Sequence, residues 1–110
     1  MKEVVSGATS SGAKKIFKIE HSTDLHSIQV KFTGTVSALT VSVEGSLDGV
    51  SFFELAAHTL TAAEISAKVS LFHIINKLSE YIRINLTTYT GTGPVTVYYT
   101  PATSAMLQVD

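Results

Sequence analysis

Four histidines are the residues best suited to chemistry in this chain, because imidazole can carry protons and bind metal ions. No two of them stand at the i, i+4 spacing of a helical metal site. His21, Asp24 and His26 share one short segment, which could hold a divalent ion if it folded back on itself. The segment is polar, so a solvated loop is the stronger interpretation. His73 occupies a core-facing position of a strand pattern, which predicts a buried neutral imidazole.

The pair Asp48-Gly49 could belong to a calcium loop or to a turn. Calcium takes about six to eight oxygen ligands, whereas Glu44 is the only other acidic residue in the preceding stretch. Alternating residues flank the pair, and Asp-Gly tolerates the positive φ angles of a two-residue type I′ hairpin turn. The sequence therefore predicts a hairpin turn at Asp48 and Gly49, and no metal site.

Signatures of nucleophilic catalysis are also missing from the sequence. The chain has no cysteine and no Ser in a G-x-S-x-G elbow. Its glycine-rich stretch TGTGP has a proline where a phosphate-binding loop would need to open a helix. Nothing in the sequence supports a catalytic pair of carboxylates facing each other across a cleft, as in glycosidases. We expect a protein that is not an enzyme and that uses no catalytic residue and no cofactor.

Composition argues against nucleic-acid and membrane partners. The formal net charge is −1 and 15% of the residues are charged. The densest basic group is Lys14, Lys15 and Lys18, which is typical of an edge strand rather than of a surface that neutralises phosphates. No apolar run approaches the ~20 residues that a membrane-spanning helix needs.

Apolar and polar residues alternate over much of the chain, which is the pattern of half-buried strands. The clearest runs are residues 28–32, 39–43, 82–86 and 95–99. Thr61 and Glu64 match a capping box, which predicts a short helix. We expect one domain over residues 1–110: an all-β, antiparallel, jelly-roll-like sandwich of about seven to eight strands with one short helix.

The ends of the chain and one pair of tyrosines are the predicted interfaces. Little in either terminal segment would hold it to an isolated domain, apart from a few apolar residues that we expect to dock on neighbouring subunits: Val4, Val5, Met106, Leu107 and Val109. Tyr98 and Tyr99 are adjacent, so one of them faces outward if the strand is regular. An exposed tyrosine is typical of a protein interface.

The chain resembles small structural proteins of bacteriophages and prophages in three stretches: VVSGATSSGAKKIFKI, TVSVEGSLDGVSFFEL and SEYIRINLTTYTGTGPVTVYYT. The resemblance implies a virion protein that decorates the capsid or serves at the head–tail junction. Its partners would be other copies of itself and a major capsid or other virion protein, after synthesis in the host cytoplasm. The alternative is an accessory domain that binds a host glycan through loops near Tyr89 or His26.

Overall fold

The computed structural model describes residues 2–102, except for the side chains of residues 20–23 and 102. Over this range the elements are β1 (Lys2–Ala8), β2 (Gly12–Phe32), β3 (Val36–Ser46), β4 (Phe53–Thr59), α1 (Ala62–Ala67), β5 (Val69–Gly91) and β6 (Val95–Ala102). The predicted all-β class with one short helix is confirmed.

The strands form one antiparallel sheet in the order β1-β6-β2-β5-β3-β4. The hydrogen bonding is continuous across all six strands, so any layers arise by bending of one sheet. Six strand elements cover the described range, and two of them, β2 and β5, each join two segments that the sequence pattern separates. The histidine-containing segment expected as a loop is the middle of β2.

Strands β2 and β5 are too long to run straight through the molecule. The 21 residues of β2 would span about 70 Å at ~3.3 Å per residue, whereas the longest dimension of the molecule is 44 Å. The register between β2 and β5 shifts twice between Lys18 and Leu25. Such irregularities bend a strand, so both strands turn over near their midpoints.

The bend divides the sheet into two layers. Layer A contains β1, β6, residues 25–32 of β2 and residues 69–75 of β5. Layer B contains β3, β4, residues 12–18 of β2 and residues 81–91 of β5. Each layer therefore uses one half of both long strands.

Side-chain contacts bring the two layers together at both sides. The ring centroids of His58 in β4 and Phe72 in β5 lie 5.0 Å apart. On the other side, the Lys2 ammonium lies 4.5 Å from the centroid of the Phe17 ring. Layer A thus packs on layer B, and each layer shields the apolar face of the other.

The core follows the alternation of the sequence. Apolar side chains from both layers form one buried cluster, which includes Ile28, Val30, Phe32, Leu39, Val41, Val43, Ile82, Ile84, Leu86, Val95, Val97 and Tyr99. Each fully buried aliphatic side chain contributes about 1.5–3 kcal/mol relative to exposure. The alternating runs therefore supply the main stabilisation of the fold.

Helix α1 begins with the predicted capping box. The Thr61 hydroxyl accepts a hydrogen bond from the Glu64 N–H at 3.2 Å, and the Glu64 carboxylate accepts one from the Thr61 N–H at 2.9 Å. The helix ends at Lys68, whose φ of 62° is left-handed and whose N–H donates to the Glu64 carbonyl at 2.8 Å. The Glu64 carboxylate also accepts hydrogen bonds from Ser70 and His58. Glu64 therefore links α1 to β4 and β5.

Candidate interaction surfaces

His26 lies in the core rather than in a solvated loop. Its side chain is 1% exposed, because it shares the inward face of β2 with Ile28. Nε2 lies 2.8 Å from the Lys77 carbonyl, which can only accept, so Nε2 carries the proton. Nδ1 therefore accepts from the Tyr99 hydroxyl at 2.6 Å. Burial lowers the pKa of His26, and the imidazole is neutral and fully hydrogen-bonded.

The prediction that His73 is buried is wrong. His73 is exposed on the outer face of layer A, where the Ser27 hydroxyl lies 2.9 Å from its Nδ1. Leu71 and Ile75 share this face and are 59% and 62% exposed. The inward positions belong to Ser70, Phe72 and Ile74, because pairing with Val30, Ile28 and His26 of β2 sets the register.

Val4 and Val5 do not form a free arm. They belong to β1, which pairs with β6, and they are 4% and 5% exposed within the core of their own chain. The register shift between Glu3 and Val5 lets both neighbouring side chains point inward. The other predicted arm, with Met106, Leu107 and Val109, lies outside the described residues.

The side chains of the two adjacent tyrosines point to opposite faces of β6, as the alternation of a regular strand requires. Tyr99 points inward and is 3% exposed; burial raises its pKa. Tyr98 points outward, is half-buried, and borders a shallow groove of about 300 Å³. The side chains that line this groove are those of Ser6, Lys31, Phe32, Thr33, Pro94, Thr96 and Tyr98. Of the two tyrosines, Tyr98 is therefore the one available to a partner.

Asp48 and Gly49 lie in the connection of a β-hairpin, but the turn differs from the predicted one. The connection between β3 and β4 covers residues 47–52, and Gly49 has a positive φ of 77° whereas Asp48 does not. A type I′ turn would need positive φ at both positions. The backbone instead wraps around the Asp48 carboxylate, which caps the loop.

Hydrogen bonds hold this loop in one conformation. Asp48 Oδ1 accepts from the N–H groups of Val50 at 2.8 Å and Ser51 at 2.9 Å, and from the Ser46 hydroxyl at 2.8 Å. These bonds to the charged form lower the pKa of Asp48 to about 2. The Ser46 oxygen accepts in turn from the Gly49 N–H at 2.9 Å. The Asp48 carboxylate is thus hydrogen-bonded within the loop, and its role is to stabilise the turn.

The same loop and the first residue of β4 carry large apolar side chains into solvent. Leu47 is 58% exposed, Val50 82% and Phe53 62%. Phe52, in the same loop, is half-buried, and the Arg83 guanidinium lies 4.4 Å from its ring centroid. Arg83 is itself held by Glu44, with 2.5 Å between Nε and Oε1. We call Leu47, Val50 and Phe53 the apolar loop cluster.

The part of the chain that the structure describes contains neither a cluster of metal ligands nor a membrane-spanning helix. Within residues 2–102, no three His, Asp or Glu side chains lie close enough together to hold a metal ion. The segment of His21 has side chains outside the described set, so the structure does not test the predicted cluster with Asp24 and His26. No helix within the same residues is long and apolar enough to span a membrane.

Comparison with known proteins adds no assignment: no protein-family model, no curated protein and no solved structure matches this chain. Three surfaces of this structure are candidates for binding a partner. They are the apolar loop cluster, the groove beside Tyr98, and the outer face of layer A around Leu71 and Ile75.

Proposed function

We propose that the protein is a non-enzymatic structural component of a bacteriophage particle, where it decorates the capsid or sits at the head–tail junction. The sequence resemblance to phage structural proteins suggests that the protein belongs to a phage particle. The apolar loop cluster suggests how the protein attaches to that particle. A major capsid or other virion protein is the partner that this reading requires.

The observation that carries the proposal is the combination of apolar exposure and rigidity in residues 47–53. Large apolar side chains held in water mark contact surfaces when they are grouped. The hydrogen bonds around Asp48 order the loop before it meets a partner, so less conformational entropy is lost on binding. Val50 at the tip, flanked by Leu47 and Phe53, would enter an apolar depression on the shell protein.

Cosedimentation with particles that lack the protein tests this attachment. The wild-type chain should pellet with the particles, and a Val50→Glu, Phe53→Glu variant should lose most of the pelleted material, because a carboxylate resists desolvation in an apolar contact. Thr87→Glu is the matched control, since Thr87 is exposed near the opposite end of layer B. Equal pelleting of both variants and wild type would contradict attachment through the loop.

The groove beside Tyr98 favours the second candidate, a glycan-binding domain. Hydroxyl groups and one ammonium surround an outward-facing ring, which suits a saccharide. The two positions near which the sequence predicts glycan-binding loops are less suitable: His26 is buried, and the hydroxyl of half-buried Tyr89 donates to the Gly93 carbonyl at 2.5 Å. Titration with host polysaccharide, followed by backbone NMR shifts, should move the Lys31 and Thr96 signals if this function is correct. Tyr98→Ala should abolish those shifts.

A further inference from the structure

Layer A ends in a strand edge that no described strand pairs with. Residues 69–75 of β5 bond to β2 on one side. On the other side β3 pairs only with the later part of β5, from Tyr81 to Gly91. The bend at the middle of β5 separates these two regions. The backbone edge of residues 69–75 is thus available, among the strands that the structure describes, for another strand.

This edge has none of the charges that normally discourage pairing between sheets. Edge strands commonly carry Lys or other charged residues that make added pairing unfavourable. Residues 12–18 of β2 follow that rule with Lys14, Lys15 and Lys18, and β4 carries Glu54. The segment from Val69 to Ile75 contains no Lys, Arg, Asp or Glu. Its outward side chains include Leu71 and Ile75, which are 59% and 62% exposed.

The spacing of these side chains makes the edge complementary to itself. Leu71, His73 and Ile75 share the outer face of layer A. If two copies pair antiparallel around a two-fold axis at His73, Leu71 of one copy lies opposite Ile75 of the other, and the reverse holds on the other side of the axis. Directly opposed apolar side chains stabilise an antiparallel pair, and an isologous contact of this kind closes at two copies.

We propose that residues 69–75 of β5 pair antiparallel with the same residues of a second copy of this chain, with His73 at the two-fold axis. The inference deepens the proposed function and rests on it for its biological purpose, because it assigns contact between copies to this edge and leaves particle attachment to the apolar loop cluster. Layer A of each copy would then continue into layer A of the other. A seven-residue edge covers less than the ~1,200–2,000 Å² of a standard stable interface, so the free pair is weak and is strengthened when copies are held on one particle.

Disulfide trapping tests the register, because the wild-type chain contains no cysteine. Opposed residues in an antiparallel pair have Cα atoms about 4.5–5.5 Å apart, within the range that a disulfide bridges. His73→Cys should form covalent dimers under mild oxidation at least about tenfold faster than Ala57→Cys, an exposed site on the edge strand β4. Equal rates for the two variants would overturn the proposal.

Sedimentation of the cysteine-free chain provides the second measurement. The wild type should show concentration-dependent dimers, and Leu71→Lys with Ile75→Lys should weaken dimerisation at least about tenfold. Thr87→Lys, a change at an exposed position of layer B, should leave dimerisation unchanged. A wild type that stays monomeric at its solubility limit, or a Lys variant that dimerises as well as wild type, would overturn edge pairing. A monomer that still binds particles would refute edge pairing alone, whereas a dimer that ignores particles would refute only the particle function.

Discussion

The imidazole of His26 and the hydroxyl of Tyr99 share a 2.6 Å hydrogen bond in the core, between β2 and β6. The two residues are 73 positions apart in the sequence. Nε2 of the same imidazole bonds to the Lys77 carbonyl of β5. This polar group therefore connects β2, β5 and β6 close to the bend, and each of its buried polar atoms has a partner.

Removing the Tyr99 hydroxyl should destabilise the protein. Tyr99→Phe keeps the ring but leaves Nδ1 of His26 without its donor, and an unsatisfied buried polar group costs about 1–3 kcal/mol. Urea denaturation should show this decrease in the free energy of unfolding. Tyr98→Phe is the control: its side chain faces outward, so its free energy of unfolding should stay within about 0.5 kcal/mol of wild type.

Acidification should weaken the fold through His26 before it affects the carboxylates. Burial lowers the pKa of His26 below its usual 6.5 in the folded state, so below pH ~6.5 the unfolded chain binds a proton that the folded chain resists. The free energy of unfolding therefore falls as the pH decreases from about 6.5, by at most ~1.4 kcal/mol per pH unit. The loss continues until the pH reaches the lowered pKa.

Denaturation curves between pH 7 and 5 measure this dependence, and His26→Gln provides the comparison. The variant should be less stable at pH 7 and should have a shallower slope over this interval. The nearby charge of Asp24 favours the protonated imidazole and reduces the effect without reversing it. An identical slope in wild type and variant would show that His26 does not cause the pH dependence.

Removing the Glu64 side chain should destabilise the protein more than removing the Thr61 hydroxyl that caps the helix. Thr61→Ala removes one cap acceptor, for which the usual cost is about 1 kcal/mol. Glu64→Ala removes the acceptor for the Thr61 N–H, the Ser70 hydroxyl and His58 together, and Ser70 is only 3% exposed. Thermal unfolding should therefore rank wild type above Thr61→Ala, and Thr61→Ala above Glu64→Ala. The reverse order of the two variants would contradict the linking role of Glu64.

The Glu64 carboxylate should also contribute to loss of stability in acid. Hydrogen bonds, chiefly from Ser70 and the Thr61 N–H, lower the pKa of Glu64 from 4.5 to about 2. Its contribution is therefore present above pH ~4.5 and is lost as the pH falls towards 2. Thr61→Ala, which retains the carboxylate and Ser70, should keep most of this dependence.

Glycine is required at residue 93, where two connections meet. A Cβ atom built on Gly93 would lie 1.9 Å from the Thr33 carbonyl oxygen, and the Gly93 N–H donates to the Thr35 carbonyl at 3.0 Å. Gly93→Ala must displace backbone, so we expect a loss of about 2 kcal/mol or more. Thr92→Ala, at an exposed neighbouring position, should change the free energy of unfolding by less than about 0.5 kcal/mol. Equal effects would show that the connections can move apart without cost.

Local pattern was sufficient to predict the parts of the fold that local chemistry controls. The alternation around Ile28, Leu39, Ile84 and Val97 predicted their inward faces correctly, and the Thr61 and Glu64 pair marked the start of α1. His26 also fits this logic, because it stands two residues before Ile28 on the inward face of β2. The sequence contained that signal, but the polar residues around His26 favoured a loop.

Pairing between strands that are distant in the sequence determined the features that local sequence patterns could not predict. Leu71 and Ile75 are more hydrophobic than Ser70 and flank His73, so composition alone puts their face in the core. The register with β2 places Phe72 and Ile74 there instead. The Asp48 turn likewise depends on side-chain bonds to Val50 and Ser51, which the Asp-Gly motif does not specify. The exposed edge at residues 69–75 arises only from the bend in β5.

The central proposal is that this protein is a constituent of a bacteriophage particle, attached through the apolar loop cluster. Its most direct test is whether the chain is present in the particles themselves. Gradient-purified particles from the host that carries this gene should contain the chain in a fixed ratio to the major shell protein, measured by quantitative mass spectrometry. The Val50→Glu, Phe53→Glu variant should be depleted from the particle fraction while remaining folded in the lysate, and Thr87→Glu should be retained. Particles that lack the wild-type chain, while it accumulates free in the lysate, would contradict the account.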